Sequence, residues 1–381
     1  MSKIGTYKQQ PAGYKAFIPA SFPPSNLIEW DADLIMLLSR ADMAIGKLNA
    51  IDQLVPDVDF FIFMYVRKEA TLSSQIEGTQ ATLIDVIKAE AKLQDETVSS
   101  DVDEIQNYID AMNYGIERLK NLPLSLRLVR EIHQRLLKGV RGQHRSPGEF
   151  RKSQNWIGGP TVETAAFVPP PPHEMNQSLS DLEKFVHNES LKLPLLIKAG
   201  LMHAQFETIH PFLDGNGRCG RLLITFYLCR EGIISRPLLY LSEFFKRNRS
   251  DYYDKLNSYR FDKGAENWLK FFLEGVRSVS EDAVKKARKI SQLHLENVKL
   301  VASFGRNADT ALKLLNKMYA SPVVDAKSIS KMTGLSSKGN VADLIAKFLK
   351  AGIIVEMTGK KRYRRFIYKD YVRQFVDERI N

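Results

Sequence analysis

One short run limits the folds open to this chain: His210-Pro-Phe-Leu-Asp-Gly-Asn-Gly-Arg-Cys-Gly-Arg221. An apolar segment, Ile197 to Phe206, precedes the run, and a second, Leu222 to Leu228, follows it. This pattern predicts two helices joined by a tight corner. The Gly-Asn-Gly sequence in the run predicts a turn whose backbone adopts positive φ and leaves its N–H groups uncovered.

The side chains of this run fit one kind of chemistry. Open N–H groups and the positive end of the helix dipole attract a phosphate. Arg218 and Arg221 lie one helical turn apart and can reach the same phosphate chain. Asp214 offers a hard oxygen suited to Mg²⁺, and His210 can accept a proton from an attacking hydroxyl. The run therefore indicates phosphoryl or nucleotidyl transfer.

Each of these features also has a purely structural explanation. A histidine beside a helix is usually a core or capping residue, and Gly-Asn-Gly alone is usually a turn. Two arginines on a helix generally form a solvated face. The combination of all of them within twelve positions favours the functional interpretation over these separate structural ones.

The run matches the signature HxFx(D/E)GNGRxxR at every specified position, so the chain resembles the Fic (Fic/Doc) family, from about Phe17 to Leu273. The resemblance implies a mainly α Fic-type helical core with a small β-hairpin flap. It implies His210 as general base and Asp214 as Mg²⁺ ligand. Asn216 would help to position the α-phosphate. The implied ATP phosphate site comprises Gly215, Asn216, Gly217, Arg218, Cys219, Gly220 and Arg221.

The resemblance also implies a reaction. A Ser, Thr or Tyr hydroxyl of a target protein attacks the α-phosphorus of ATP, and pyrophosphate leaves. The chain would thus be a protein adenylyltransferase with ATP and Mg²⁺ as its cofactors. By the same resemblance it would form a homodimer.

A second motif lies upstream, in Thr71-Leu-Ser-Ser-Gln-Ile-Glu-Gly78. It resembles the inhibitory motif (S/T)xxxE(G/N), with Ser73, Glu77 and Gly78 at the matching positions. The spacing of four places Ser73 and Glu77 on one helix face, and Gly78 ends the helix. We expect Glu77 to pair bidentately with Arg221 and so to remove the cation that would hold the ATP γ-phosphate. The alternative is a surface glutamate at a helix end.

Two further segments resemble parts of the same family. The stretch 158–169 resembles its flap, a hairpin that aligns a target chain by strand addition, although an ordinary surface hairpin would look the same. Tyr253 is the choice for stacking on adenine, with Tyr252 as the lesser candidate, and helix packing is the alternative for both. His203, on an apolar helix, is interpreted as a core histidine.

The C-terminal part of the sequence differs from the rest. Three short helices, Thr310–Tyr319, Ala326–Met332 and Val341–Leu349, are followed by two strands, Ile353–Met357 and Tyr363–Tyr368, which predicts a winged helix-turn-helix domain. Residues 301–381 carry 16 Lys and Arg against 7 Asp and Glu, an excess of nine positive charges. The basic wing predicts phosphate contacts with DNA, while dimerisation and target docking remain alternatives.

These patterns divide the chain into four parts. We expect an N-terminal helical region with the inhibitory helix (1–110), a Fic catalytic core (111–275), a linking helix (276–304) and the winged helix domain (305–381). The first twenty-four residues look loop-like. Separate helical segments are expected over Phe60–Glu69 and from Thr71 onward.

Composition excludes several classes of protein. No apolar stretch approaches the roughly 20 residues that cross a bilayer, and the N-terminus lacks the pattern of a secretory signal. The two cysteines, Cys219 and Cys229, form neither a disulfide framework nor a metal-ligand pair. A cytoplasmic location without membrane contact is the simplest expectation.

Two rival functions remain open from the sequence. The chain could be a DNA-binding regulator that uses the winged helix, with the Fic core as a nucleotide sensor. Alternatively, the Fic fold could serve as a phosphotransferase or remove AMP from proteins, because the orientation of the bound nucleotide decides the chemistry.

Overall fold

The computed structural model describes residues 4–25, 27–53, 58–91 and 99–376. Within these ranges the protein is mainly helical with two small antiparallel sheets, so the prediction of a mainly α protein is confirmed. No helix in the described ranges is long and apolar enough to cross a membrane.

The N-terminus forms a β-hairpin, and the expectation of a loop there is wrong. β1 (Gly5–Gln9) pairs antiparallel with β2 (Lys15–Pro19). No local sequence pattern indicates the hairpin, because distant contacts stabilise it. Phe17 donates its N–H to the carbonyl of Val168 at 3.0 Å, and its ring packs 6.2 Å from that of Phe167.

The helix that carries the predicted inhibitory motif is longer than expected. After α1 (Ala32–Asn49), α2 runs without interruption over Val58–Ile76, so the prediction of two separate segments is wrong. Thr71, at the expected break, donates its hydroxyl to the carbonyl of Arg67 at 2.8 Å. Such bonding to the preceding turn satisfies a polar side chain inside a helix. Gly78, with φ of 101°, follows the end of the helix.

Four helices precede the centre of the molecule in the chain: α3 (Leu83–Glu90), α4 (Ser100–Arg118), α5 (Leu126–Leu136) and α6 (Pro172–His187). The centre itself is formed by two buried helices, α7 (Leu195–Ile209) and α8 (Asn216–Arg230). These two helices pack against each other and are buried on nearly all sides. Helices that are apolar around their whole circumference have no solvent face, which explains their central position. The corner between these two helices carries the run found in the sequence.

The stretch between α5 and α6 is irregular. Its one bridge pairs Ile157 with Phe167 through two backbone hydrogen bonds of 2.8 and 3.0 Å. Gly158 and Gly159 both adopt positive φ at the start of the intervening loop. The expected hairpin flap is therefore a loop closed by a single bridge, and β2 lies against its exit.

The C-terminal part contains a second sheet. After α9 (Ser242–Arg247) and α10 (Arg249–Ser258), the 39-residue α11 (Gly264–Ala302) passes the expected domain boundary at 275 without a break. The following elements, in chain order, are α12 (Ala308–Met318), β3 (Val323–Asp325), α13 (Ala326–Thr333), α14 (Lys338–Lys350), β4 (Val355–Glu356), β5 (Arg365–Ile367) and α15 (Lys369–Arg373). The sheet has the order β3-β5-β4, so it contains one strand more than the sequence predicted.

Candidate active site

His210 ends α7 in a left-handed conformation, with φ of 49° and ψ of 61°. A residue with a side chain rarely adopts this conformation, so neighbouring groups must hold it. The carbonyl of His210 accepts hydrogen bonds from Arg151 Nε at 3.0 Å and Asn155 Nδ2 at 3.1 Å. Arg151, which is 3% exposed, also donates to the carbonyls of Ile209 and Pro170. These contacts fix the direction in which the imidazole leaves the backbone.

The N-terminus of α8 is open as the sequence predicted. Gly215 precedes the helix with φ of 77°, and the first backbone hydrogen bond of the helix runs from Cys219 N to Gly215 O at 3.0 Å. The N–H groups before Cys219 therefore have no partner within the helix, and the positive end of the helix dipole lies at the same point. This end of α8 is the phosphate cradle of the candidate site.

Asn216 is placed differently from the expectation. Its side chain is 2% exposed, and its amide makes two hydrogen bonds of 2.8 Å with the backbone N–H and carbonyl of Phe212. The side chain thus braces the loop between the two helices.

Asp214 fits a magnesium ion that is bound together with a substrate. Its side chain is 36% exposed, and Oδ1 accepts a 2.6 Å hydrogen bond from Gly215 N. Among the described residues, no three His, Cys, Asp or Glu side chains cluster as a complete metal site. Magnesium is commonly held by one or two carboxylates together with substrate phosphates, which is the arrangement available here.

His133, which the sequence analysis did not single out, supports this loop. Its Nδ1 accepts from Gly148 N at 2.9 Å, so its Nε2 carries the hydrogen and donates to the carbonyl of Asp214 at 2.9 Å. The ring stacks on Phe212 with 3.6 Å between centroids. Burial lowers the pKa of His133 to about 4, so the ring is neutral and acts as a fixed donor.

Glu77 lies over the cradle. Its Oε1 is 2.8 Å from Nη2 of Arg221, and a Cβ on Gly217 would collide with the same oxygen. The carboxylate thus occupies the place at the helix N-terminus that an anionic ligand would take. Burial opposes its ionisation, but Arg221 and then Arg218 and His210 outweigh burial and hold the pKa of Glu77 below its usual range.

Ser73, in the last turn of α2, and Glu77, the residue just after the helix, both hold Arg221. Nε of Arg221 donates to Ser73 Oγ at 2.8 Å, and Nη2 donates to the Ser73 carbonyl at 2.9 Å. The pairing with Glu77 is a single hydrogen bond from Nη2 to Oε1 and is not bidentate, and Nε is directed at Ser73 instead. Burial disfavours the charge of Arg221, but the Glu77 carboxylate outweighs it and raises the pKa of the guanidinium.

Arg218 is enclosed rather than free. It is 1% exposed, with Nη1 lying 3.5 Å from Oε2 of Glu104 and Nη2 lying 3.7 Å from Oδ1 of Asp214. Glu104 also accepts a 2.9 Å hydrogen bond from the hydroxyl of Thr79, just beyond α2. Arg218 is therefore connected through a buried carboxylate to the segment that follows α2.

The remaining predicted site residues do not all lie at the cradle. The side chain of Cys219 is fully buried, and a side chain at Gly220 would point at α7, so neither position presents a side chain to the cradle. Tyr253 is half-buried, and burial followed by the Glu77 charge raises its pKa. Tyr252 is 1% exposed and shares a 2.9 Å hydrogen bond with His203 Nε2, so both residues belong to the core.

The comparisons with known families agree with this geometry. Residues 35–117 match the Fic/DOC family N-terminal domain, and residues 123–228 match the Fic/DOC family domain. Ser73 and Glu77 lie in the first matching segment, and the run ending at Arg221 lies in the second.

Curated relatives cover only part of the chain. The protein adenylyltransferase Fic of Aedes aegypti is 33% identical over 156 residues, which are 41% of this chain and 28% of that protein. A probable protein adenylyltransferase of Aquifex aeolicus (strain VF5) is 30% identical over 178 residues, which are 45% of this chain and 50% of that protein. The chain thus spans half or less of the length of these relatives.

Solved structures share the fold. A Fic family protein from Desulfovibrio desulfuricans G20 superposes with a TM-score of 0.56 at 20% identity, covering 89% of this chain and 97% of its own. A Fic domain containing signaling protein from Bacteroides thetaiotaomicron VPI-5482 gives a TM-score of 0.53 at 22% identity. This superposition covers 68% of the present chain and 97% of the Bacteroides protein. At these identities the similarity establishes the fold alone.

Proposed function

We propose that this chain is a protein adenylyltransferase that moves AMP from ATP to a hydroxyl side chain of a target protein. The observation that carries the proposal is the shared position of three groups at one helix N-terminus. His210 ends α7 at the loop that leads into α8, the open N–H groups of α8 adjoin the carboxylate of Glu77, and this carboxylate pairs with Arg221. The adenylyltransferase relatives support the same activity.

The proposed reaction is a nucleotidyl transfer. The target oxygen forms a bond to the α-phosphorus, the bond from that phosphorus to the β-phosphate oxygen breaks, and pyrophosphate leaves. His210 takes the hydroxyl proton; burial and then Arg151 lower its pKa to about 4, so the imidazole is neutral and available as a base. The N–H groups of α8 and the side chain of Arg221 bind the phosphates.

Asp214 would hold the Mg²⁺ ion. When bound with ATP, this ion would neutralise charge on the phosphates. The contribution of the chain itself is to present one half-exposed carboxylate beside the cradle, on a loop that His133 and Asn216 brace. Tyr253 would stack on the adenine ring.

Glu77 restrains this activity in the proposal. Its carboxylate lies where the γ-phosphate would bind to Arg221, so ATP must either displace it or bind in a pose unsuited to in-line attack. Ser73 fixes the guanidinium from the last turn of α2. Release of the inhibition therefore requires α2 to move or Glu77 to turn away from the cradle.

We also propose that residues 305–381 form a winged helix-turn-helix domain, which follows an N-terminal region (1–110), a catalytic core (111–275) and a linking helix (276–304). The order of three helices and three strands, with α14 as the third helix, supports the assignment. Homodimer formation and a cytoplasmic location stay part of the proposal from the family resemblance.

A second candidate function is DNA binding by this C-terminal domain. The loop between β4 and β5 exposes Lys360, Lys361, Arg362 and Arg364, and the ring of Tyr363 is 84% exposed. Such a basic loop suits contacts with phosphates. Lys347 on α14 is paired with Asp343 at 3.0 Å, which leaves few side chains for reading base edges.

Labelled ATP distinguishes the proposed reaction from its rivals within the fold. We expect Glu77→Gly protein to incorporate label from ATP carrying ³²P at the α-position and none from ATP labelled at the γ-position. Label from the γ-position would identify a phosphotransferase instead. Loss of AMP from a previously modified protein, without any incorporation, would identify an AMP-removing enzyme.

A further inference from the structure

Behind His210, at the end of α7, lies a second carboxyl group that the proposed reaction has not used. Glu207 precedes His210 by three residues, and its Oε2 is 3.7 Å from the Nδ1 atom of the imidazole. Within the described part of the chain, His210 Nδ1 and Glu207 Oε1 are both buried without a hydrogen-bond partner. Buried polar atoms in proteins are nearly always hydrogen-bonded, and a small rotation of the Glu207 side chain would bring one of its carboxyl oxygens within hydrogen-bond distance of Nδ1.

The surroundings of Glu207 keep its carboxyl in this place. Oε1 lies against Gly220 on α8, where a Cβ would collide with it. The absence of a side chain at Gly220 thus makes room for Glu207, which gives that glycine a role different from phosphate binding. The side chain of Glu207 is 11% exposed, so solvent does not compete strongly for its oxygens.

We propose that Glu207 is a positioning residue for His210: it accepts the Nδ1 hydrogen and thereby leaves the Nε2 lone pair directed at the cradle. This role rests on the proposed function, in which Nε2 takes the proton of the target hydroxyl. The proton passes from the hydroxyl oxygen to Nε2, and the resulting imidazolium donates Nδ1–H to Glu207. A base held in one tautomer by a carboxyl partner needs no reorientation before it reacts.

Burial raises the pKa of Glu207 to about 8, while Arg221 lowers it and Glu77 raises it further. The carboxyl is therefore mostly protonated near neutral pH, and its C=O oxygen is the atom that accepts the Nδ1 hydrogen. The carbonyl of Glu207 also lies on the Nδ1 side and favours a hydrogen there. The charged groups that act on His210 are Arg151, Glu77 and Arg260. Cys219 and Tyr252 are the titratable groups near Glu207. The Glu207 carboxyl itself lies 3.7 Å from Nδ1.

Nitrogen NMR on the full-length protein tests the pair without requiring activity. With ¹⁵N-labelled histidine, and the His210 signals assigned through His210→Ala, we expect hydrogen on Nδ1 in the wild type. Glu207→Leu should shift the Nδ1 signal toward the tautomer mixture of free imidazole, and Glu207→Gln, which keeps an acceptor oxygen, should shift it less. The matched control Glu266→Gln, another buried helix glutamate, should leave it unchanged. An identical His210 signal in wild type and Glu207→Leu would overturn the proposal.

Kinetics in a Glu77→Gly background provide the second measurement. Loss of a positioned base partner should lower kcat in Glu207→Leu by about tenfold or more, with KM for ATP unchanged, since the phosphate cradle is intact. Equal kcat values would contradict the role. If the Glu77→Gly protein transfers nothing at all, the proposed function fails, whereas the NMR result still decides on the pair.

Discussion

At the scale of single residues, the candidate site depends on a histidine held in an unusual backbone conformation. The left-handed φ of His210 is compatible with α7 only because Arg151 and Asn155 capture its carbonyl. The imidazole then lies close enough to the Glu77 carboxylate for that charge to raise its pKa, against the larger lowering by burial and Arg151. The backbone conformation of His210 therefore determines where its imidazole lies.

Replacing His210 separates catalysis from binding. We expect His210→Ala to reduce transfer by at least about 10²-fold, the usual contribution of a general base, while ATP binding stays measurable because α8 is untouched. Initial rates with labelled ATP and calorimetric binding of ATP measure the two effects. The exposed His173→Ala serves as control, and a His210→Ala enzyme with full activity would exclude this residue as the base.

The raised pKa of Glu207 predicts that the stability of the folded protein depends on pH. Its folded pKa of about 8 lies above the value of about 4.3 in an unfolded chain, so between these values the folded protein binds the extra proton. The stability contribution is present below the unfolded value and is lost as pH rises toward about 8, by roughly 1.4 kcal/mol per pH unit. Glu207→Gln does not titrate. Its Tm should fall less than that of the wild type between about pH 5 and pH 8.

The control for this comparison is the exposed Glu117→Gln, whose melting profile should follow the wild type. Parallel profiles of Glu207→Gln and wild type across the same pH range would mean that Glu207 is ionised in the folded protein.

The residues of the site differ in how far the sequence predicts them. His210 to Arg221 are contiguous, so their helix corner is a local property that spacing reveals. Glu104, His133 and Arg151 act from other elements through tertiary contacts, and no local pattern marks them. Glu207 is nearer in sequence, but its apolar helix conceals that its carboxyl is buried beside the base.

At the scale of secondary structure, α2 connects the N-terminal region to the cradle. Its last turn supplies Ser73, Glu77 follows directly after it, and Gly78 then changes the chain direction with positive φ. The helix is continuous although its sequence suggested two segments, because the central part is packed against α4 and α9. Tertiary packing here overrides the local pattern, as it does in the N-terminal hairpin.

Removing the carboxylate of Glu77 should release the enzyme. We expect Glu77→Gly to increase AMP incorporation, including self-modification, by about tenfold or more, which corresponds to about 1.4 kcal/mol or more of restraint. Autoradiography with α-labelled ATP measures the increase. Glu117→Gly, the same change near the end of α4, should leave incorporation at the wild-type level. Equal incorporation by Glu77→Gly and wild type would refute the inhibitory role.

At the scale of the whole molecule, one long helix joins the part that carries the site to the C-terminal domain. α11 packs along α1 and against α7 at one end and against α12 at the other.

The three short helices of the C-terminal domain were predictable from their periodicity. Strand β3 was not, because a three-residue strand has too little pattern to be recognised.

The basic loop of this domain gives a test of DNA binding. Replacing Lys360, Lys361 and Arg362 by Ala should weaken binding of the full-length protein to duplex DNA and reduce the slope of log K against log salt by about one per lost phosphate contact. A gel-shift series at several salt concentrations measures the slope, with Lys285→Ala on α11 as a control cation. If the wild-type protein does not bind duplex DNA, dimerisation or target docking remains as the role of residues 305–381.

The central claim is that one helix corner holds a base and an ATP cradle in position for AMP transfer. Intact-mass spectrometry of Glu77→Gly protein after incubation with ATP and Mg²⁺ tests it most directly. We predict a mass increase equal to AMP on the protein itself, and none when His210→Ala is added to Glu77→Gly. A phosphate adduct, or an AMP adduct that persists without His210, would contradict the claim.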